Sequence, residues 1–258
     1  MTQGAALSHR LERTVLIRAG REHVFRFFTD SERWASWWGV GSSIDPTPGG
    51  RLLIVFPGGI QVTGDVVEIV SPHRIVFTYG FASGTPIPPG GSLVTIRLAE
   101  QEGDTLLHLS HDFADSTVRD EFQQGWRYQL SLFANAVLND LHATASDAVD
   151  GWFAAWSEVD TGTREDKLAR LVTANIRFRD RFSSIDGISD LRAHLSALHR
   201  FMPGVAIQRD GVVRHCQGTV LADWVARMAD GSERGRGTNI FVLNPSHQIE
   251  AVTGFWNT

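Results

Sequence analysis

Few cysteines, no long apolar run and no nucleotide-binding motif limit what this 258-residue chain can do. Cys216 is the only cysteine, so an intrachain disulfide and a metal site built from several thiolates are both excluded. No stretch approaches the roughly 18 apolar residues of a membrane-spanning helix. The N-terminal segment also lacks the continuous apolar region of a secretory signal. We therefore expect a soluble cytoplasmic protein that has no membrane partner.

Basic residues are neither in excess nor clustered. The chain has 24 Lys and Arg against 29 Asp and Glu, so the electrostatic footprint of a nucleic-acid partner is missing. Glycine-rich phosphate loops, the His-Glu-x-x-His motif and the serine-hydrolase nucleophile turn are absent as well. His194 and His199 are five apart on a predicted helix, and His215 and Cys216 are adjacent on a predicted strand, so neither pair converges. We predict no metal and no cofactor.

The most periodic stretch of the chain runs from Ser116 to Leu141, where apolar residues recur every three or four positions. This spacing predicts a long helix with one apolar stripe, and Ser116 is its predicted N-cap. Six segments with strand patterns precede it, so we expect the helix to lie on a curved antiparallel sheet above a cavity. Gly125, beside Trp126 in mid-helix, predicts a close backbone approach or a bend there.

The first half resembles a known family in both element order and wording. Strand, two short helices, strand meander and long helix resemble the Bet v 1-like or START-like (SRPBCC) fold. The segments FTDSERWASWWG, LSHDFAD and GWRYQLSLFANAVL resemble the Hsp90-ATPase-activator C-terminal domain and its bacterial, AHSA1-like relatives over about residues 8–142. The resemblance implies a hydrophobic ligand cavity bounded by the long helix, but no chemistry, because the family includes binding proteins, co-chaperones and enzymes.

Aromatic residues are the candidate ligand contacts of this first half. Rigid aromatic surface at a cavity mouth suits a flat apolar ligand, and packing in the core is the alternative interpretation. His108 and His111 lie three apart on a strand, so we expect them to face opposite sides and to be structural. The candidate ligand-binding tryptophans are Trp34, Trp37, Trp38 and Trp126.

An acid interrupts an apolar pattern in the second half. In NIRFRDRF, residues 175–182, the alternation places Phe178, Asp180 and Phe182 on one face of a predicted strand. A carboxylate between two phenylalanines is either paired or has its ionised form disfavoured by desolvation, and the latter would suit a general base. A buried acid satisfied by an arginine or a backbone amide is the alternative.

The element order over about residues 145–257 resembles the cone-shaped NTF2-like or SnoaL-like fold, which includes ketosteroid isomerases, polyketide cyclases and binding proteins. Against the ketosteroid-isomerase pattern, Asp180 matches the general base, Asn239 matches the protonated oxyanion-hole Asp, and Trp152 matches the oxyanion-hole Tyr. The resemblance therefore implies proton abstraction by Asp180. Both hydroxyl donors are replaced, which argues against steroid isomerisation itself, although amide and indole N–H groups can still polarise a carbonyl.

These observations predict two α+β domains: a helix-grip antiparallel sheet with a long C-terminal helix at residues 1–143, and an NTF2-like cone-shaped barrel at residues 144–258. The predicted function is binding of a small hydrophobic, polyketide-like or polycyclic molecule, with turnover left open. An Hsp90-type co-chaperone role and a homodimer formed through the NTF2-like domain are the alternatives. Further candidate ligand contacts, beside those of the first half, are Trp156, Phe178, Phe182, Trp224 and Trp256.

Overall fold

Alternating apolar positions in the first half form a single sheet of seven strands, all of them paired antiparallel. The computed structural model describes residues 6–257. The strands are β1 (His9–Ile17), β2 (Ser43–Ile44), β3 (Arg51–Val55), β4 (Gln61–Val70), β5 (Arg74–Phe81), β6 (Ser92–Gln101) and β7 (Asp104–Phe113). Their order across the sheet is β1-β7-β6-β5-β4-β3-β2. The sequence predicted six of these strands, and β2 is too short to show a period.

Within residues 6–141, three helices and a 3-10 turn accompany this sheet. The long helix packs against β1 and β7, so the predicted antiparallel sheet with a long C-terminal helix is confirmed. Its predicted cap is wrong, however, because Asp115 and not Ser116 accepts the N–H groups of Thr117 and Val118, at 2.7 and 3.1 Å. The helical elements are α1 (Arg21–Phe25), the 3-10 turn (Arg26–Phe28), α2 (Ser31–Trp38) and α3 (Ser116–Leu141).

The chain divides into two units between Leu141 and His142. In its described part, residues 142–257, the second unit contains three helices and a six-stranded sheet in the order β10-β11-β12-β13-β8-β9. The elements are α4 (Ala145–Ser157), α5 (Thr161–Leu171), β8 (Val172–Arg179), β9 (Ser184–Asp186), α6 (Ile188–Phe201), β10 (Ala206–Cys216), β11 (Thr219–Arg227), β12 (Glu233–Leu243) and β13 (Ile249–Asn257).

The second sheet is mixed and open. Strands β13 and β8 run parallel, and the other neighbours are antiparallel. Strands β10 and β9 end the sheet without pairing to each other in the described residues, so the cone-shaped sheet is open on one side, and the predicted α+β fold class is confirmed. Helix α4 supplies much of the core: Trp152 is 1% exposed and packs edge-on to Phe241 of β12. Truncating such a ring to Ala costs about 3–5 kcal/mol.

Candidate ligand-binding cavity

The second unit encloses a cavity of about 480 Å³. Residues of α4, β8, α6 and the strands β10 to β13 line it, and most of them are aromatic or aliphatic. A concave apolar site of this size with a few polar groups has the character of a small-molecule site, whose volumes are about 300–1,000 Å³. The polar or charged lining residues are Asp180, Ser183, His194, Arg234 and Asn239.

Asp180 enters this cavity from a turn and not from a strand. Strand β8 ends at Arg179, which pairs with Thr253 of β13, and the Asp180 N–H then donates to the carbonyl of Ser183 at 3.0 Å. Phe182 is 69% exposed, so the predicted strand face shared by Asp180 and Phe182 is wrong. Local turn hydrogen bonds replace the strand ladder there. Both residues nevertheless line the cavity.

Two neutral donors hold the half-buried carboxylate of Asp180. Oδ1 accepts the backbone N–H of Phe182 at 2.8 Å, and Oδ2 accepts the indole N–H of Trp256 at 3.1 Å. Each carboxylate oxygen keeps further lone pairs after one such bond. The carboxylate is therefore fixed in position and can still accept a proton or a hydrogen bond.

Gly254 brings Asn239 and Asp180 together. Asn239 pairs with Gly254 across β12 and β13, and Gly254 lies next to the end of β8. A Cβ at Gly254 would lie 3.0 Å from Asn239 Oδ1 and 3.3 Å from Asp180 Cβ. Both side chains therefore occupy the space that a side chain at position 254 would need. The Asn239 oxygen accepts the indole N–H of Trp224 at 3.0 Å. Its amide N–H₂ group is thus the part that can donate to a ligand.

Two more glycines, Gly237 and Gly235, leave room for the indoles of Trp224 and Trp256, which donate hydrogen bonds to Asn239 and Asp180. A Cβ at Gly237 would lie 2.6 Å from a ring carbon of Trp224, and one at Gly235 would lie 2.7 Å from Trp256. The two indoles meet nearly at right angles, with ring centroids 5.0 Å apart. The sequence predicted both tryptophans as ligand contacts and missed the glycines, although the alternation GRGTN was a visible signal.

His194 is one of three polar lining residues that the sequence did not single out, together with Ser183 and Arg234. Its ring lies 5.6 Å from that of Trp156, and burial lowers the pKa of its imidazole while the charge of Asp180 partly opposes this shift. The imidazole is therefore neutral near pH 7 and can accept or donate a hydrogen bond. Its spacing from Leu191 and Leu198, three and four residues away, placed it on the buried face of α6 and could have revealed it.

The tryptophans of α4 form one wall of the cavity. Trp152, the predicted donor, is buried against Trp156 and Phe178, with ring centroids 5.4 and 5.9 Å away. Trp156 Nε1 is buried and has no hydrogen-bond acceptor within residues 6–257. An indole N–H in that state is a donor that a ligand carbonyl could satisfy.

The first unit contains a smaller cavity, of about 220 Å³. Trp38 and Trp126 line it, whereas Trp34 and Trp37 lie in the core and do not. Gly125 also lines it, but a Cβ there would meet no atom within 4 Å beyond its own helix turn in the described residues. The predicted close backbone approach is therefore wrong, and Gly125 faces open space.

A buried hydrogen-bond chain lies beside this smaller cavity. Trp126 Nε1–H donates to His111 Nδ1 at 2.9 Å, His111 Nε2 contacts Ser92 Oγ at 2.8 Å, and Ser92 donates to the carbonyl of Tyr79. Burial lowers the pKa of His111 to about 3, so the ring is neutral and Nε2 is its donor. His108 is exposed on the opposite face, as its spacing predicted. His111 thus connects α3 to β6 and β7.

The described residues contain neither a metal-binding cluster nor a membrane-spanning helix. Between residues 6 and 257, no group of three or more His, Cys, Asp or Glu is placed to hold a metal ion. Over the same range, no helix is both long enough and apolar enough to cross a membrane.

Similar solved structures come from several bacteria. A SnoaL-like family protein from Agrobacterium tumefaciens is 24% identical, with 46% of this chain and 99% of that one covered and a TM-score of 0.42. An AHSA1-like protein from Rhizobium etli is 31% identical, with 53% and 86% covered and a TM-score of 0.43. The Aha1 dimer from Colwellia psychrerythraea is 17% identical, with 47% and 90% covered and a TM-score of 0.41.

The family comparison concerns the first unit. No curated protein matches the chain. One family model, described as activator of Hsp90 ATPase homolog 1-like protein, matches residues 18–137 and so spans most of the first unit and none of the second. The segments FTDSERWASWWG and GWRYQLSLFANAVL, which carried the resemblance in the sequence, fall almost wholly inside that range. Residues 18–137, most of the first unit, are therefore similar to the activator of Hsp90 ATPase homolog 1-like family.

Proposed function

We propose that the second unit binds a small apolar molecule, cyclic or polyketide-like, and that Asp180 takes a proton from it. The observation that carries this proposal is a half-buried carboxylate, held by two neutral donors, in a cavity of about 480 Å³ with mostly apolar walls. Asn239 and His194 line the same cavity. A base and neutral hydrogen-bonding groups are thus available around one ligand.

The walls suit a flat ring system. The indoles of Trp224 and Trp256 and the rings of Trp156 and Phe178 meet at steep angles, so they present both ring faces and ring edges. Burying about 250 Å² of apolar ligand surface contributes about 6 kcal/mol before the entropy cost of association. A bicyclic ligand is therefore expected to bind with a dissociation constant in the micromolar-to-millimolar range.

The chemistry proposed for this site is proton abstraction beside a carbonyl. An oxygen of Asp180 takes the proton from the carbon, and the C–H electron pair moves to form an enolate. The N–H₂ group of Asn239 donates to the developing oxyanion, which neutral donors stabilise without a metal. Where the enolate is conjugated, Asp180 returns the proton to a different carbon, which gives isomerisation. Where the ligand has a second carbonyl, the enolate carbon attacks it to form a new C–C bond, the C=O π pair moves to that oxygen, and the oxygen takes the proton from Asp180, which gives cyclisation. His194, neutral near pH 7, can relay that proton to the oxygen.

Deuterium exchange tests the base without knowledge of the natural substrate. The full chain is mixed with 2-tetralone, a bicyclic ketone, in D₂O, and loss of the proton signals beside the carbonyl is followed by NMR. We expect Asp180→Asn to slow exchange by about 10²-fold or more. The matched control is Asp186→Asn, because Asp186 is exposed, pairs with Arg179 and does not line the cavity. Equal exchange by wild type and Asp180→Asn would refute the catalytic role.

The family match of the first unit supports a second candidate function. Residues 18–137 fit a model named for an activator of the Hsp90 ATPase, so contact with an Hsp90-type chaperone is a separate proposal for this unit. Stimulation of a purified Hsp90 ATPase by the full chain would support it, and an unchanged ATPase rate would count against it. The similar Colwellia psychrerythraea protein is described as a dimer. The proposal that this chain forms a homodimer is tested by its mass in solution.

A further inference from the structure

One cation stands among the cavity-lining residues that the structure describes. Arg234 is exposed near the start of β12, and it forms no ion pair with a carboxylate of the described chain. Its neighbour Arg236 instead binds both oxygens of Glu233, at 2.8 Å each. The carboxylate closest to Arg234 in sequence is thus already occupied, and the Arg234 guanidinium is free to serve a ligand.

Exposure locates this cation at the opening of the cavity. Phe182, which is 69% exposed, and Arg234 line the cavity while reaching solvent, whereas the α4 and β8 residues of its lining are buried. A wholly apolar ligand would gain nothing from a guanidinium there. We propose that the site selects an amphipathic anion, an apolar ring system carrying a carboxylate, with the rings inside and the carboxylate on Arg234. This inference rests on the proposed function and names its substrate class.

The charges of the cavity would also orient such a ligand. Asp180 lines the same cavity and carries a negative charge that is not neutralised by Arg234, because its oxygens bind Phe182 and Trp256. An anion is repelled by Asp180 and attracted by Arg234. The carboxylate of the ligand is therefore held away from the base, and a ring carbon is left beside Asp180. Arg234 becomes a residue that determines specificity and orientation.

The guanidinium geometry favours a carboxylate over other polar groups. Arginine presents its N–H donors in a planar fork that matches the two oxygens of a carboxylate. Because Arg234 is exposed, solvent and salt screen the attraction, and the preference for the anion should be moderate and should decline with ionic strength. We expect up to about fivefold tighter binding of an acid than of its ester at low salt.

The test compares 2-naphthoate with methyl 2-naphthoate, which differ in charge and share the ring system. Binding to the full chain is measured by calorimetry at low and at high salt, for wild type, Arg234→Gln and Arg177→Gln. Arg177 is an exposed arginine of β8 outside the cavity lining, so it controls for the change in net charge. We expect wild type and Arg177→Gln to prefer the acid up to about fivefold at low salt. Arg234→Gln should bind acid and ester alike.

The results distinguish failure of the proposed role of Arg234 from failure of the proposed ligand-binding site. Equal binding of acid and ester by wild type, or an unchanged preference in Arg234→Gln, overturns the role of Arg234 and leaves an apolar-ligand site in place. Binding of neither compound, with the variants folded as judged by their thermal unfolding, overturns both. Loss of ester binding in Arg234→Gln would show that Arg234 supports the cavity wall and does not select charge.

Discussion

His111 makes the stability of the first unit dependent on pH, and the size of the effect follows from its burial. The folded-state pKa of His111 is about 3, against about 6.5 for an exposed histidine. Between these values the unfolded chain binds a proton that the folded chain excludes, so stability falls as the pH falls. Each pH unit below 6.5 costs about 1.4 kcal/mol, which gives about 2 kcal/mol at pH 5. Above pH 6.5 His111 contributes no pH dependence.

The assay is urea unfolding of the full chain between pH 7.5 and pH 5, for wild type, His111→Gln and His108→Gln. A glutamine at 111 can accept from Trp126 through its oxygen and donate to Ser92 through its amide, but it does not titrate. Other histidines contribute equally to wild type and variant, so the difference between their pH slopes isolates His111. We expect His111→Gln to lose about 2 kcal/mol of acid sensitivity by pH 5, and His108→Gln to lose none.

Equal pH slopes for wild type and His111→Gln would refute this reasoning. That result would mean that His111 binds a proton in the folded state as readily as in the unfolded state. The buried chain from Trp126 to Ser92 would then have to accommodate an imidazolium, whose desolvation the burial of His111 opposes.

Two further predictions concern a close approach and a helix end. In Gly254→Ala the new Cβ would lie 3.0 Å from Asn239 Oδ1 and would displace the Asn239 side chain. We expect the rate of deuterium exchange of 2-tetralone to fall at least about tenfold, with little change in thermal unfolding. An exchange rate equal to that of wild type would show that the distance between Asn239 and Asp180 is not critical. Asp115→Ala removes the cap of α3 and should cost about 1 kcal/mol in urea unfolding, whereas Ser116→Ala should be nearly neutral. The reverse order would restore Ser116 as the cap.

The elements with a long regular period were predictable, and their ends were not. Helix α3 is 26 residues long, so many apolar positions match the same helical period and indicate one helix. The end of β8 depends on its pairing with β13, which is more than 70 residues away in sequence, and on the turn bond from Asp180 to Ser183. The alternation of apolar and polar residues predicted a strand that continues through Phe182. It did so because Phe182, which lies in a turn, is apolar for another reason: it lines the cavity. The cap of α3 was misplaced by one residue because Asp115 and Ser116 are both good cap residues.

The cavity residues were predicted best where a resemblance supplied a role. Asn239 was selected in that way, whereas Asp180 was selected first from its place between two phenylalanines, and both side chains lie within 3.3 Å of a Cβ built at Gly254. His194 was considered only as half of a metal pair with His199, so its own position on the buried face of α6 was overlooked. The alternation of Gly235 and Gly237 was visible in the sequence, but it did not show which indole packs against each glycine, because that depends on the three-dimensional structure.

The partners of Asp180 bear on both interpretations of this residue. The sequence left open whether an arginine or a backbone amide would satisfy the acid, and the structure shows a backbone N–H and an indole N–H. An arginine would fix the carboxylate and would also stabilise its ionised form. The carboxylate would then be a weaker base toward the C–H proton of the substrate. Neutral donors fix the carboxylate and leave its negative charge in place. The same bonds that satisfy Asp180 structurally therefore keep it suited to act as a base, while Arg234 provides the positive charge of the cavity at its opening.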